Sequence, residues 1–227
     1  MRRSAWPMLS LFSCIALFLS GCGGTGGGGA DAQLRVLQAS PNAPLVNLLV
    51  DGVSVAGNLG YGNATAYLQV KPGSHHIQAV PVSGASPIFD QTMSFASSTN
   101  QTLLLTGPAT GIQPLLLSDT GPTIVVGDAY VRIVDASATM GAADVYIVPA
   151  GSSIVGVQPV VAGMSFDQST GYQTTVAGNY EVFMTAPGTT NALLSTGPIS
   201  LTSAENQTVV ALDSASGGFQ YSVLNDQ

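Results

Sequence analysis

The sequence predicts an all-β protein. Two tandem immunoglobulin-like antiparallel β-sandwich domains, at 33–119 and 129–227, are joined by a linker at 120–128 and preceded by a signal peptide at 1–21 and a Gly-rich tether at 22–32. Three observations carry this. The region after the tether repeats itself once. Short segments in each repeat alternate apolar and polar residues, the period of two that puts one strand face on a core and the other toward water. Turn residues separate those segments, and no stretch after Cys22 holds a helical period between breakers.

The repeat is legible residue by residue. Leu34-Arg35-Val36-Leu37-Gln38-Ala39-Ser40 matches Val131-Arg132-Ile133-Val134-Asp135-Ala136-Ser137. Leu59, Tyr61, Thr65, Tyr67 and Gly73 match Met164, Phe166, Thr170, Tyr172 and Gly178, with a short insertion in the second copy between Pro149 and Gly163. Asn100-Gln101-Thr102-Leu103-Leu104 matches Asn206-Gln207-Thr208-Val209-Val210, and Asp119 near the end of the first copy matches Asp226. Matches that stay in order while the offset drifts only through small insertions mark a tandem duplication.

The elements follow in order. Each copy opens on an alternating strand, Leu34 and Val36 around Arg35, Val131 and Ile133 around Arg132, which assigns both arginines to the water face. Val46 to Val50 and Val145 to Val148 form a second run, and Gln101 to Thr106 with Thr208 to Leu212 a late one. Turns fall at Pro41-Asn42-Ala43-Pro44, Asp51-Gly52, Lys71-Pro72-Gly73, Ala177-Gly178-Asn179 and Gly217-Gly218. Several short strands at this spacing in roughly 85–100 residues suit a sandwich.

The amino terminus has a basic head, Arg2-Arg3, and an apolar run from Pro7 to Leu19 that is short for a membrane span. Leu19-Ser20-Gly21-Cys22 resembles the bacterial lipobox. The resemblance implies diacylglyceryl transfer to the Cys22 sulfur, cleavage before Cys22 and acylation of the new amino terminus, with the membrane as partner. Gly23, rather than Asp, after the cysteine implies the outer membrane where the organism has two. Gly23-Gly24-Thr25-Gly26-Gly27-Gly28-Gly29 reads as loose coil that lets a folded body stand away from the bilayer. Several acyl chains, at about 0.8 kcal/mol per buried methylene, give durable anchoring where one is marginal.

Composition narrows the chemistry. Cys14 lies in the signal and Cys22 is the lipid site, so the mature chain has no thiol for a disulfide, a thiolate metal site or a cysteine nucleophile. Only Arg35, Lys71 and Arg132 remain basic, against twelve acidic residues, which excludes nucleic acid as a partner because phosphate binding needs clustered Lys and Arg. Charged residues are 7% of the chain, far below the roughly 25% of ordinary domains. A surface of Ser, Thr, Asn, Gln and Gly follows.

The first copy also carries Arg35, Ala39 to Pro41, Ala43-Pro44, Val46 to Gly52, Tyr67, Val70, Gly73 and His75. This pattern is similar to the bacterial cell-surface family named domain of unknown function 4397. The second copy departs from it, with Ala138-Thr139-Met140 in place of the proline-bearing turn and Tyr180 in place of His75. The resemblance implies a β-rich extracytoplasmic module with no known chemistry, so no catalytic residue transfers.

Candidate sites are few. His75 and His76 are adjacent on a strand and point to opposite faces, so they do not grip one ion together; matching Tyr180 and Glu181, they read as an inward or half-buried ring beside a solvated polar position. Arg35 and Arg132 occupy equivalent positions. They are expected to pair with a carboxylate or bind backbone carbonyls across the sandwich edge, with Asp144 the candidate for Arg132 and the Asn47 amide for Arg35, or else to contact an anion or sugar. Tyr61, Tyr67, Phe166 and Tyr172 recur in both copies, as core or corner residues or as stacking platforms for sugar; Tyr61 and Phe166 are the candidate ligand contacts. Asp51, Asp90, Asp119, Asp128, Asp135, Asp144 and Asp167 are dispersed without a calcium-loop spacing, so no metal site and no cofactor is expected.

The catalytic inventory is thin. Gly-x-Ser-x-Gly, His-Glu-x-x-His and a phosphate-cradling Gly-rich loop ending in Gly-Lys-Ser/Thr are absent. The expectation is a non-catalytic, membrane-anchored lipoprotein of the bacterial envelope or cell surface, an adhesion, scaffold or assembly module whose partner is an envelope protein or glycan. A carbohydrate-binding surface module is the alternative, and a hydrolase with carboxylates paired between the domains a more distant one.

Overall fold

A computed structural model describes residues 29–84, 86–123 and 125–227; the expected signal, Cys22 and the expected tether up to residue 28 lie outside the described residues. The first half runs β1 (Ala32–Gln38), β2 (Val46–Val50), β3 (Val53–Leu59), β4 (Leu68–Val70), β5 (Gly73–Pro81), β6 (Phe89–Phe95), β7 (Asn100–Thr106) and β8 (Gln113–Ser118). The second runs β9 (Asp128–Asp135), β10 (Ala143–Pro149), β11 (Val161–Met164), β12 (Gln168–Val176), β13 (Gly178–Thr185), β14 (Ala192–Ser195), β15 (Ile199–Leu201), β16 (Asn206–Asp213) and β17 (Phe219–Asp226). Among the described residues every regular element is a strand, as the fold class expected.

The strands make four sheets in two pairs. The first half has an inner sheet β4-β1-β7-β8 and an outer sheet β3-β2-β5-β6. The second half has the same order, β12-β9-β16-β17 inside and β11-β10-β13-β14 outside, with β15 also paired to β13. Pairing is antiparallel except at the centre of each inner sheet, where β1 runs parallel to β7 and β9 parallel to β16. The chain passes from β1 to β2 and β3 outside, back to β4 at the inner sheet's edge, and out again to β5 and β6, so β7 arrives beside β1 by a crossover rather than a hairpin.

Each pair of sheets closes over its own core. Leu34, Val36, Leu103 and Leu105 of the first inner sheet meet Leu48, Ile77 and Ala79 of the outer one. Val131, Ile133, Val209 and Ala211 meet Val145, Val182 and Met184 in the second half. A further cluster joins the halves: Leu37, Ala39, Leu104 and Leu117 pack with Val134, Ala136, Val210, Leu212 and Leu224. The two inner sheets therefore face each other, and β16 is buried along its whole length. This corrects the assignment of Arg35 and Arg132 to a water face. Alternation separates two strand faces but does not say what covers the polar one.

Two local differences separate the halves. β2 turns into β3 through Asp51-Gly52, both at positive φ, 51° and 78°, as a tight hairpin requires. In the second half the matching connection is the longer segment 150–160, and its Ile154 folds back onto Tyr146, Val148 and Phe183 as a small satellite core. The single edge strand β6 of the first outer sheet corresponds to β14 and β15, which are interrupted at Thr196-Gly197-Pro198. Pro198 has no N–H for a ladder, which suits it to a break at a sheet edge.

Candidate functional site

At one end of the interface between the halves, the two arginines lie in a closed polar network, each 4% exposed. Arg35 donates from Nε and a terminal nitrogen to Thr102 Oγ1 at 3.0 and 2.8 Å. Across the interface it donates to the Asn225 carbonyl at 2.7 Å and to the Asp226 carboxylate. Arg132 repeats this pattern, with Thr208 Oγ1 at 3.0 Å, the Ser118 carbonyl at 2.7 Å and Asp119 Oδ1 at 2.6 Å. Each guanidinium also stacks 4.7 Å from a tyrosine ring, Arg35 on Tyr67 and Arg132 on Tyr172.

The carboxylates bind both arginines together. Asp119 lies 3.7 Å from Arg35, and Asp226 3.7 Å from Arg132, so each acid touches the two cations. Tyr67 donates to Asp119 and Tyr172 to Asp226, both at 2.7 Å. Burial and then the neighbouring carboxylate push both phenols above their ordinary range. Two cations and two anions balance, and the hydroxyls of Thr102 and Thr208 donate to the same acids. The arrangement meets the conditions under which buried charge is tolerated: pairing and saturated hydrogen bonding.

The arginines do meet carboxylates and backbone carbonyls, but the two named candidates, Asn47 and Asp144, are engaged elsewhere. The Asn47 side chain accepts the Asn58 N–H at 3.3 Å, and Asp144 accepts the N–H groups of Gly163 and Gly188 at 2.8 and 2.7 Å. Asp144 thus ties β11 and the turn at Gly188 to its own strand of the outer sheet. The true partners were visible in the repeat as matched pairs, Asp119 with Asp226, Tyr67 with Tyr172 and Thr102 with Thr208. No sequence rule told that the pairs cross from one half to the other.

The opposite end of the interface is open. A cleft of about 290 Å³ is lined by Pro41, Asn42 and Tyr61 of the first half and by Thr139, Asp213 and the 214–218 turn of the second. Tyr61 is half-buried against the interdomain cluster and donates its hydroxyl to the Asp213 carbonyl at 2.7 Å. Burial and the Asp213 charge push its phenol up to about 12. Phe166, at the matching position of the second half, is also half-buried and has no hydroxyl to donate. The Asp213 carboxylate accepts from Ser137 Oγ, the Ala138 N–H and Thr139 Oγ1.

Two further acids lie near this end. Asp135 is fully buried, its Oδ1 accepting the Ser137 N–H at 2.9 Å and its Oδ2 without a partner. Burial pushes its carboxyl up to about 6, helped by the charges of Asp213 and Asp167 and opposed by the Ser137 N–H. Asp167 is raised by burial and accepts from Thr106 Oγ1 of the first half at 3.0 Å.

The histidines are on the outer sheet of the first half. His75 Nδ1 meets Asp51 Oδ2 at 2.6 Å and Nε2 meets the Lys71 carbonyl at 2.8 Å, while His76 contacts Asp90. The hydrogen bonds from the His76 N–H and the His75 ring hold Asp51 below its ordinary range, and the His76 contact does the same for Asp90. His75 tilts against Phe95 at 6.2 Å and Tyr180 packs on the second core. Among the described residues no three His, Cys, Asp or Glu side chains converge as metal ligands.

Residues 32–146 match the family described as a domain of unknown function, DUF4397. The chain belongs to this family. The matched segment of this DUF4397 protein spans the first sandwich and continues through β9 into β10. No curated protein matches. Among solved structures, family 41 carbohydrate-binding modules from streptococcal virulence factors, described as recognising alpha-glucan, are similar at 11% identity, with 79% of this chain and 92% of theirs covered and a TM-score of 0.28. A streptococcal virulence factor described as binding alpha-glucan is similar at 10% identity over 79% and 92%, with a TM-score of 0.27. Overlap that loose carries no functional argument.

Proposed function

We propose that this DUF4397 protein is a non-catalytic, lipid-anchored module of the bacterial envelope or cell surface, in which a diverged second copy of the domain is fused to the first as one display body. In this reading Cys22 carries the lipid and residues 23–29 are the leash, with an outer-membrane location where there are two membranes. The observation that carries the reading is the reciprocal network of Arg35, Asp226, Arg132 and Asp119. It commits the paired polar groups of both halves to holding them together rather than to a reactant. Buried ionic groups of this kind favour one docking geometry over alternatives, which suits an adhesion, scaffold or assembly role.

The test has two parts. Labelled palmitate fed to expressing cells is expected to enter the wild-type chain and not Cys22→Ser, which should leave the membrane fraction; label retained in the variant overturns the anchor. The purified chain is expected to leave a panel of glycosides and esters unchanged, and turnover at a measurable rate overturns the non-catalytic reading. A second reading, carbohydrate binding, is favoured by one observation: Tyr61 lines a cleft that sets apolar Pro41 and Ala215 beside polar Asn42, Thr139 and Ser214 and the backbone of Gly217 and Gly218.

A further inference from the structure

We propose that the interdomain cleft is a binding site for one neutral sugar ring, with the face of Tyr61 as its platform and Asn42, Thr139 and the 214–218 turn as its polar rim. The proposal rests on the second reading above and names the site and the ligand class. It begins from size. A cleft of about 290 Å³ sits at the bottom of the range for ligand pockets, roughly 300–1,000 Å³, so it suits a single ring or the end of a longer glycan.

Charge selects the class. No Lys or Arg lines the cleft, and Asp213 adds a negative charge to an acidic chain, which disfavours phosphates and other anions. The Asp213 carboxylate is taken by Ser137, Ala138 and Thr139, which leaves it poorly suited to gripping a cation. Tyr61 with Pro41 and Ala215 supplies an apolar side and Asn42, Thr139 and Ser214 a polar one, which fits a neutral polyol with its apolar C–H face and hydroxyl edge.

The walls are set in advance. Because the Tyr61 hydroxyl is held by the Asp213 carbonyl, its ring offers a fixed π surface rather than a free hydrogen-bonding tip. Gly217 and Gly218, at φ 90° and 74°, form the opposite rim, and a Cβ added to either meets nothing within 4 Å, so a ligand approaches bare backbone there. Asn42, exposed and at φ 64°, presents its amide on the first half's side. The fused interface keeps these walls in register, which lowers the ordering cost of binding. The site needs both halves, since neither supplies the platform and the far rim alone.

The experiment is saturation-transfer NMR on the full chain in detergent with free glucose, galactose and N-acetylglucosamine, beside a printed array of neutral and acidic glycans. Wild type is expected to bind at least one neutral glycan. Ala215→Trp, an exposed rim change, and Tyr61→Ala are expected to weaken it tenfold or more, and Tyr61→Phe less than threefold. Glycan binding that Ala215→Trp leaves intact overturns this site while the carbohydrate reading stands. Binding of acidic glycans alone overturns the ligand class, and a flat array with no transfer overturns the site and the reading together.

Discussion

The same turn is built twice by different means. After β1 the chain reverses through Pro41-Asn42-Ala43-Pro44, where two pyrrolidine rings restrict the backbone before any tertiary contact forms. After β9 the prolines are gone, and the Asp213 carboxylate reaches from the end of β16 to accept from Ser137, Ala138 and Thr139. Gly107 follows β7 where Asp213 ends β16, so the first half has no side chain to play that part. At the other end of the interface the charged and hydroxyl side chains have not diverged: Arg, Asp, Thr and Tyr are the same in both halves. A residue that serves its own sandwich can be exchanged for another device, whereas one whose complement lies in the other half is held by that partner.

The largest test of this contrast is at the shared network. Arg35→Met and Arg132→Met are each expected to cost about 3–5 kcal/mol in urea unfolding, because each strands a buried carboxylate across the interface. The two losses should be nearly equal; a cost below about 1 kcal/mol for either, or a wide gap between them, breaks the reciprocity. Next comes the turn. Asp213→Ala removes three hydrogen bonds, one of them from the buried Ser137 hydroxyl, and is expected to cost about 2–3 kcal/mol. Pro44→Ala should cost less than about 1 kcal/mol, acting mainly through the unfolded chain. Hydrogen exchange at Ala138 and Met140 that does not rise in Asp213→Ala would falsify the compensation.

The smallest effect sharpens a third difference between the halves. Gln38 Oε1 accepts the Ser40 N–H at 3.0 Å, as Asp135 Oδ1 accepts that of Ser137, so an amide and a carboxylate occupy equivalent buried positions. Burial raises the Asp135 carboxyl from 3.8 to about 6. The folded state therefore holds the proton more tightly, and the stability linked to it is complete below the unfolded value of 3.8 and lost as pH rises through about 6. Asp135→Asn keeps the Oδ1 acceptor and is expected to stabilise the protein by about 1–2 kcal/mol at pH 7.5 and by close to nothing at pH 4. Gln38→Glu should import the same pH dependence into the first half. Thermal unfolding of both variants at the two pH values reads this directly, and parallel behaviour of variants and wild type would remove the assigned burial effect.

Much of the fold was legible before any tertiary contact was known. Period-two segments such as Leu34-Arg35-Val36 located strands because side-chain direction alternates with backbone geometry alone. The candidate site was less legible. Tyr61 was named, but its cleft draws most of its wall from Thr139 and residues 213–218, which no local signal joins to it. Asp213 carried no motif, since its role lies in acceptor geometry toward a turn far away in sequence. Phe166, named beside Tyr61 for its matching position, lacks the hydroxyl that ties Tyr61 to Asp213.

The sequence by itself determined the internal repeat of matched segments, the strand-rich character of both halves, the acidic composition without cysteine after Cys22, and the resemblance of Leu19-Ser20-Gly21-Cys22 to a lipobox. Composition, period and local order are properties of neighbouring residues. Only the tertiary structure decided that the two inner sheets face each other, that Arg35 and Arg132 exchange acids across that interface, and that a cleft opens at its far end. These are relations between residues far apart along the chain, such as Arg35 and Asp226, whose meeting follows from the docking of two folded surfaces.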